Sequence, residues 1–269
     1  MSTNRRKFLW QMAALSGVTL FGQRAMAAQK AMALTAAINK AGRQRMLSQR
    51  ITKAYCQLGL GVVPDQSFNI LHESIGLFDS QLAELADYAP TEQIRATYAQ
   101  LSSEWDGFRR IAIEKPTHAG AVKLAELNER VLRVAHAGTI QLEGLSHSHV
   151  GQLVNVAGRQ RMLSQRVAKF YMLRAWDVPV VNLAGQLSQS RREFVSAMSD
   201  LRVAKENTTL INQDLELARS QWAFYEVALD YQAGGTHDSK LEAAVATSSE
   251  RVLEVMNDVT GLYEHLSEN

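Results

Sequence analysis

Residues 41–50 read Ala41-Gly42-Arg43-Gln44-Arg45-Met46-Leu47-Ser48-Gln49-Arg50, and the same ten residues return without a change at 157–166. The offset of 116 residues holds outside the decapeptide: Asn39 matches Asn155, Lys53 matches Lys169, Tyr55 matches Tyr171 and Phe78 matches Phe194. Trp105 matches Trp222 one residue later, and Glu129-Arg130-Val131-Leu132 matches Glu250-Arg251-Val252-Leu253 after a slightly longer loop holding Gly234-Gly235. A period this long means two domain-sized units and not a solenoid of short repeats.

Each unit reads as four helices. In the first, helical patterning covers residues 32–58 until Gly59-Leu60-Gly61 and Pro64 interrupt it. A second helix over 67–88 carries Ile70, Ile75, Phe78, Leu82 and Leu85 at helical spacing. Pro90 stops it, and Thr91 is placed to cap a third helix carrying Ile94, Tyr98, Leu101, Trp105 and Phe108. A fourth begins near His118, after Pro116, with no strong breaker before Trp176. The fourth helix of the first unit is therefore expected to run straight into the first helix of the second. No alternating strand pattern is present, and four prolines in 269 residues suit long helices. The expected fold is all-α: two tandem helical bundles of about four helices each, stacked and sharing a long central helix.

Three segments are expected along the chain: an export signal over 1–27, one helical domain over 28–150 and a second over 151–269. Thr3-Asn4-Arg5-Arg6-Lys7-Phe8-Leu9 has the form of a twin-arginine signal, a moderately apolar run follows to Phe21, and Ala25-Met26-Ala27 supplies a small-residue cleavage site. The mature protein is expected in the periplasm, starting near Ala28, with no transmembrane helix. A net charge of +2 provides no general basic field for nucleic acid. The single cysteine, Cys56, cannot form an internal disulfide and reads as a small buried helix residue.

On a helix the decapeptide divides into two sides. Leu47, Ile51, Ala54 and Leu58 form one apolar stripe, while Ile38, Ala41, Gly42, Arg45, Gln49 and Thr52 lie on another that is small and polar. Gly42 lets a second backbone come close, and Arg45 three residues later offers a planar fork of donors suited to a small oxyanion. Two such helices facing each other would set guanidinium against guanidinium, an arrangement that calls for something negative between them. The plainer alternative is that the arginines snorkel to solvent or pair with carboxylates such as Glu84 or Glu129.

The run Ile38-Asn39-Lys40-Ala41-Gly42-Arg43-Gln44-Arg45-Met46-Leu47-Ser48-Gln49-Arg50 resembles the signature of PilJ-type domains at the sensing end of bacterial chemoreceptors. It is also similar to the P-box of the nitrate/nitrite sensor kinases NarX and NarQ. The resemblance implies a periplasmic helical bundle that dimerises and holds one nitrate on its two-fold axis through a P-box arginine from each chain. Carried over to this sequence, it implies ligand-binding roles for Arg45 and Arg161, with Gly42 and Gly158 lining the approach, and packing or capping roles for Asn39 and Asn155. Those sensors continue through a membrane helix into a HAMP linker and a signalling region, for which nothing in this sequence corresponds. Carrying the motif twice suggests that one chain imitates the sensor dimer. If the two motif helices stack end to end instead, each would need a second chain, as a homodimer.

Other residues propose less. His147-Ser148-His149 places two histidines on different sides of a helix, a poor metal site. Trp105 and Trp222 fall on apolar stripes and read as core. No paired carboxylates, phosphate loop, nucleophile elbow or HExxH propose catalysis, so no catalytic residue, cofactor or metal is expected. The leading expectation is a sensory protein for a small oxyanion, nitrate or nitrite, that reports to a protein partner. The alternative is a structural or assembly protein whose bundles bind a partner and no small ligand, and a third is the subunit of an exported enzyme.

Overall fold

The computed structural model describes residues 34–230 and 238–266, all of them in helices and short turns without a strand. The export-signal reading over 1–27 and the Gly234-Gly235 loop lie outside the described residues. The elements are α1 (34–60), α2 (Pro64–Tyr88), α3 (Glu92–Ala112), α4 (His118–Ser146), α5 (His149–Ala175), α6 (Leu183–Arg202), α7 (Thr209–Asp230) and α8 (Ser239–His265).

Local chemistry sets their ends. Gly61, at a φ of 70°, closes α1, and Pro64 occupies the first turn of α2, where its missing N–H costs nothing. The Thr91 hydroxyl accepts from the Ile94 amide at 3.2 Å, and Thr117 caps α4 in the same way through Gly120. Each bundle is then filled by matching pairs. Phe78 stacks on Trp105 with ring centroids 3.8 Å apart, and Phe194 stacks on Trp222 at the same distance. Both tryptophans are core, as the stripes indicate, and so is Cys56, whose thiol is pushed up to about 12 by burial.

The shared central helix is not present. The chain breaks at His147, which adopts a left-handed conformation with φ 45°, and Ser148 opens α5 by accepting from the Gly151 amide at 3.1 Å. The Ser-His-Ser sequence thus stops one helix and caps the next, a signal hidden by the attention that glycines and prolines attract. α5 folds back antiparallel on α4: Asn155 donates to Glu143 near the turn, and Lys169 to Asn128 and Glu129 farther down. The two bundles consequently stand side by side. α1 and α5 run parallel through the middle, with Gly42 beside Gly158 and Lys53 reaching Gln165. α4 bonds to both, through Asn128 to Ser48 and Glu129 to Arg166, and α8 mirrors it through Gln165 to Ser249 and Glu250 to Arg50. The pairs α2–α3 and α6–α7 flank this centre.

Candidate functional site

α1 and α5 have water on neither motif face, because each is covered by its own bundle and by the other repeat. Leu47, Ile51 and Ala54 are fully buried, and so are Gln49 and Thr52 on the polar side. Arg45 and Arg161 are 1% and 0% exposed, the bulkiest of the fully buried side chains among the described residues. They meet at the glycines. A Cβ placed on Gly42 would sit 3.3 Å from Arg45 Nη2, 3.5 Å from Arg161 Nη2 and 3.9 Å from the Gly158 Cα. From Gly158 the corresponding distances are 3.7 Å to Arg45 Nη2, 3.1 Å to Arg161 Nη2 and 3.9 Å to the Gly42 Cα. All four residues singled out from the sequence are therefore brought to one place inside one chain, and no second chain is needed to pair the motifs. A side chain at either position would press on the guanidiniums, which would have to give by a few tenths of an ångström.

The surroundings of the two arginines are nearly superimposable. Arg45 Nη2 donates to Asn155 Oδ1 at 2.7 Å, and Arg161 Nη2 donates to Asn39 Oδ1 at 2.7 Å. Each asparagine passes its amide on to a carboxylate, Asn155 to Glu143 and Asn39 to Glu264. The fourth helix of each repeat supplies one more acceptor: His136 Nδ1 for Arg45 and Asn257 Oδ1 for Arg161, both at 3.2 Å. Arginine only donates, so His136 Nδ1 is the acceptor and the neutral ring carries its proton on Nε2. Asn39 and Asn155 are more than packing residues, since they orient the arginines across the repeat boundary. Their in-register duplication was the available signal. His136 and Asn257 differ from each other, and no sequence signal marked them.

The ion pairs of α1 and α5 involve Lys40, Arg50, Lys53, His149, Arg159, Arg166 and Lys169, and among the described residues none includes Arg45 or Arg161. Both Nε atoms are buried without an acceptor. Burial, reinforced by the charge of Arg159, lowers Arg45 to about 10 against the opposing pull of Glu143. Arg161 is likewise lowered well below its ordinary value, by burial first and then by the charges of Arg43 and Arg45. Two buried cations thus stand close together beside the facing glycines, with carboxylates held one asparagine away. The arrangement sets two planar forks of N–H donors side by side in a dry interface. The plainer reading of arginines paired with Glu84 or Glu129 does not hold: Glu84 pairs with Lys40, and Glu129 with Arg166 and Lys169.

No group of histidine, cysteine or carboxylate ligands that could hold a metal occurs among the described residues, and no described helix is long and apolar enough to cross a membrane. Neither a curated protein nor a solved structure matches the chain. The family model described as the type IV pili methyl-accepting chemotaxis transducer N-terminal domain matches twice, over residues 26–128 and 146–249. The two matches cover well over half of the chain, one on each bundle, and the chain belongs to the PilJ family, as a chemotaxis-transducer-type sensory domain written twice.

Proposed function

We propose that the protein is an exported sensory module, not an enzyme, that clasps one small oxyanion, nitrate or nitrite, between Arg45 and Arg161 and reports its occupancy to a protein partner. The observation that carries this reading is the meeting of two buried arginines, without ion-pair partners among the described residues, beside two facing glycines. A planar monoanion would accept from both forks at once and offset the repulsion that lowers Arg161. Joining the two motifs in one chain makes the pairing independent of protein concentration. Periplasmic localisation through the twin-arginine signal over 1–27 is part of the same proposal. Arg5→Lys with Arg6→Lys is the natural control for it.

The test is a thermal-shift panel of nitrate, nitrite, chloride and sulfate, followed by calorimetry on Arg45→Met and Arg161→Met. Methionine fills the space of the arginine stem, which is buried on both sides. A charge-assisted hydrogen bond contributes about 1.5–3 kcal/mol, so each change should weaken nitrate at least about tenfold. The same changes should leave the nitrate-free protein as stable or more stable, because a buried charge without an ion-pair partner disappears. One anion per chain is expected. A protein that gives no heat with nitrate or nitrite, and that melts earlier when either arginine is replaced, would not be an anion clasp.

One observation favours the alternative of a bundle that binds a protein and no small ligand. α7 exposes Leu210, Leu217, Phe224 and Val227 along one face, Phe224 at 70%, where α3 places Gln93, Gln100, Gly107 and Arg110. Absence of any anion response in the panel would favour that reading.

A further inference from the structure

A cavity of about 740 Å³ opens as a cleft between α4, α5 and α6. Its volume lies within the range of small-molecule sites and far exceeds what one four-atom anion such as nitrate fills. Five arginines line it (Arg45, Arg133, Arg159, Arg166 and Arg192) against two glutamates. Both glutamates are already engaged, Glu129 by Arg166 and Lys169, Glu193 by Arg159. Arg133 has no hydrogen-bond or ion-pair partner among the described residues, and Arg192 bonds only the side-chain oxygen of Gln189, which is neutral. Like charges are gathered here in excess of any local compensation.

The other repeat provides an internal control. In register with the cleft, Arg133 is replaced by Glu254, Arg192 by Gly76, Gln189 by Glu73 and His136 by Asn257, while Arg159, Arg166 and Glu129 are kept as Arg43, Arg50 and Glu250. The charges common to both repeats therefore belong to the bundle, and the added ones belong to this cleft alone. A fold requirement would have acted on both copies. Arg133 and Arg192 are exposed at the rim from two different helices, so nothing in the packing asks for their charge.

We propose that the α4–α5–α6 cleft, which adjoins the arginine clasp at Arg45, is a second binding site, for a small anion carrying two or more negative charges. Forked guanidiniums from α4, α5 and α6 take oxyanion groups at several points of one ligand, a geometry suited to a polyphosphate or a polycarboxylate and too wide for nitrate. The proposal stands on the cleft's own residues and does not depend on what the clasp holds.

Calorimetry on the full chain with inorganic pyrophosphate and with citrate tests it, the two probes separating phosphate from carboxylate chemistry. Saturable binding of at least one probe, one per chain, is expected. The double variant Arg133→Glu with Arg192→Gly copies the other repeat and should weaken that probe at least about tenfold. Its circular dichroism and its melting temperature should be unchanged, since both positions are exposed. Arg161→Met, which alters the clasp at a residue that does not line the cleft, should leave pyrophosphate or citrate affinity intact. No saturable heat with either probe at millimolar concentration overturns the proposal. So does an unaltered affinity in the double variant, or loss of the probe in Arg161→Met.

Discussion

Two layers of buried cations cross the middle of the molecule, and they are handled in opposite ways. Lys53 and Lys169 lie two helical turns beyond Arg45 and Arg161 on the same helices and are equally buried. Each lysine has a carboxylate, Glu250 for Lys53 and Glu129 for Lys169, supplied by the other repeat and shared with Arg50 or Arg166. Both glutamates would be raised by burial, yet the neighbouring cations outweigh it and hold each at about 2. Lys169 is lowered to about 8 by burial against the pull of Glu129. The arginine layer has asparagines where the lysine layer has glutamates, with the carboxylates one residue farther out. A pair completed within the protein joins the two bundles. A pair without a carboxylate of its own keeps its charge uncompensated inside the interface.

That contrast breaks most easily at Glu250. Replacing it by leucine strands Lys53 and Arg50 in the interface, and removing one partner of a buried pair costs about 3–5 kcal/mol. Urea unfolding of Glu250→Leu should show a loss of that size, largely recovered when Lys53→Met is added. Glu129→Leu should cost less, because its side chain is 37% exposed against 17% for Glu250. If Arg161→Met destabilised the protein as much as Glu250→Leu, the two layers would be of one kind.

A smaller effect sharpens the comparison at the glycines. Gly42→Ala adds a methyl group 3.3 Å from Arg45 Nη2, so the guanidinium must shift by a few tenths of an ångström. Helix propensity favours alanine by about 1 kcal/mol, and the melting temperature should hold or rise. Nitrate affinity should fall roughly fivefold, about 1 kcal/mol, because the fork is displaced. Measured together, a stabler protein that binds more weakly separates a positioning glycine from a packing one.

The smallest effect lies in the one acceptor that differs between the halves of the clasp. His136 is lowered below its ordinary 6.5 by burial, then by the charges of Arg45 and Arg159. An anion bound beside Arg45 offsets that charge and raises the histidine again, so the complex binds more protons than the free protein. Affinity should then increase by a few-fold as pH falls from 7 to 5. His136→Asn, which copies Asn257, should flatten the profile over that range. A slope that survives the substitution would locate the proton elsewhere.

Much of this molecule was legible in the chain because it was written twice. The duplicated decapeptide with its in-register neighbours determined the helical class, the two units and the four residues that meet between α1 and α5, since a period of 116 residues and a helical repeat are properties of sequence order alone. Helix ends with a local cause, at Thr91 and Thr117, could be read the same way. The break at His147 could not, because a lone serine cap competes with continued helix, and only the packing of α5 against α4 and α8 decides between them. From that turn follows everything the chain order leaves open. It stands the bundles side by side and turns Gly42 toward Gly158. It brings Asn155 to Arg45 across 110 residues and leaves the surplus arginines of α4, α5 and α6 around one cleft. Which charges share a dry interface is set by long-range contacts, and those are a property of the folded chain.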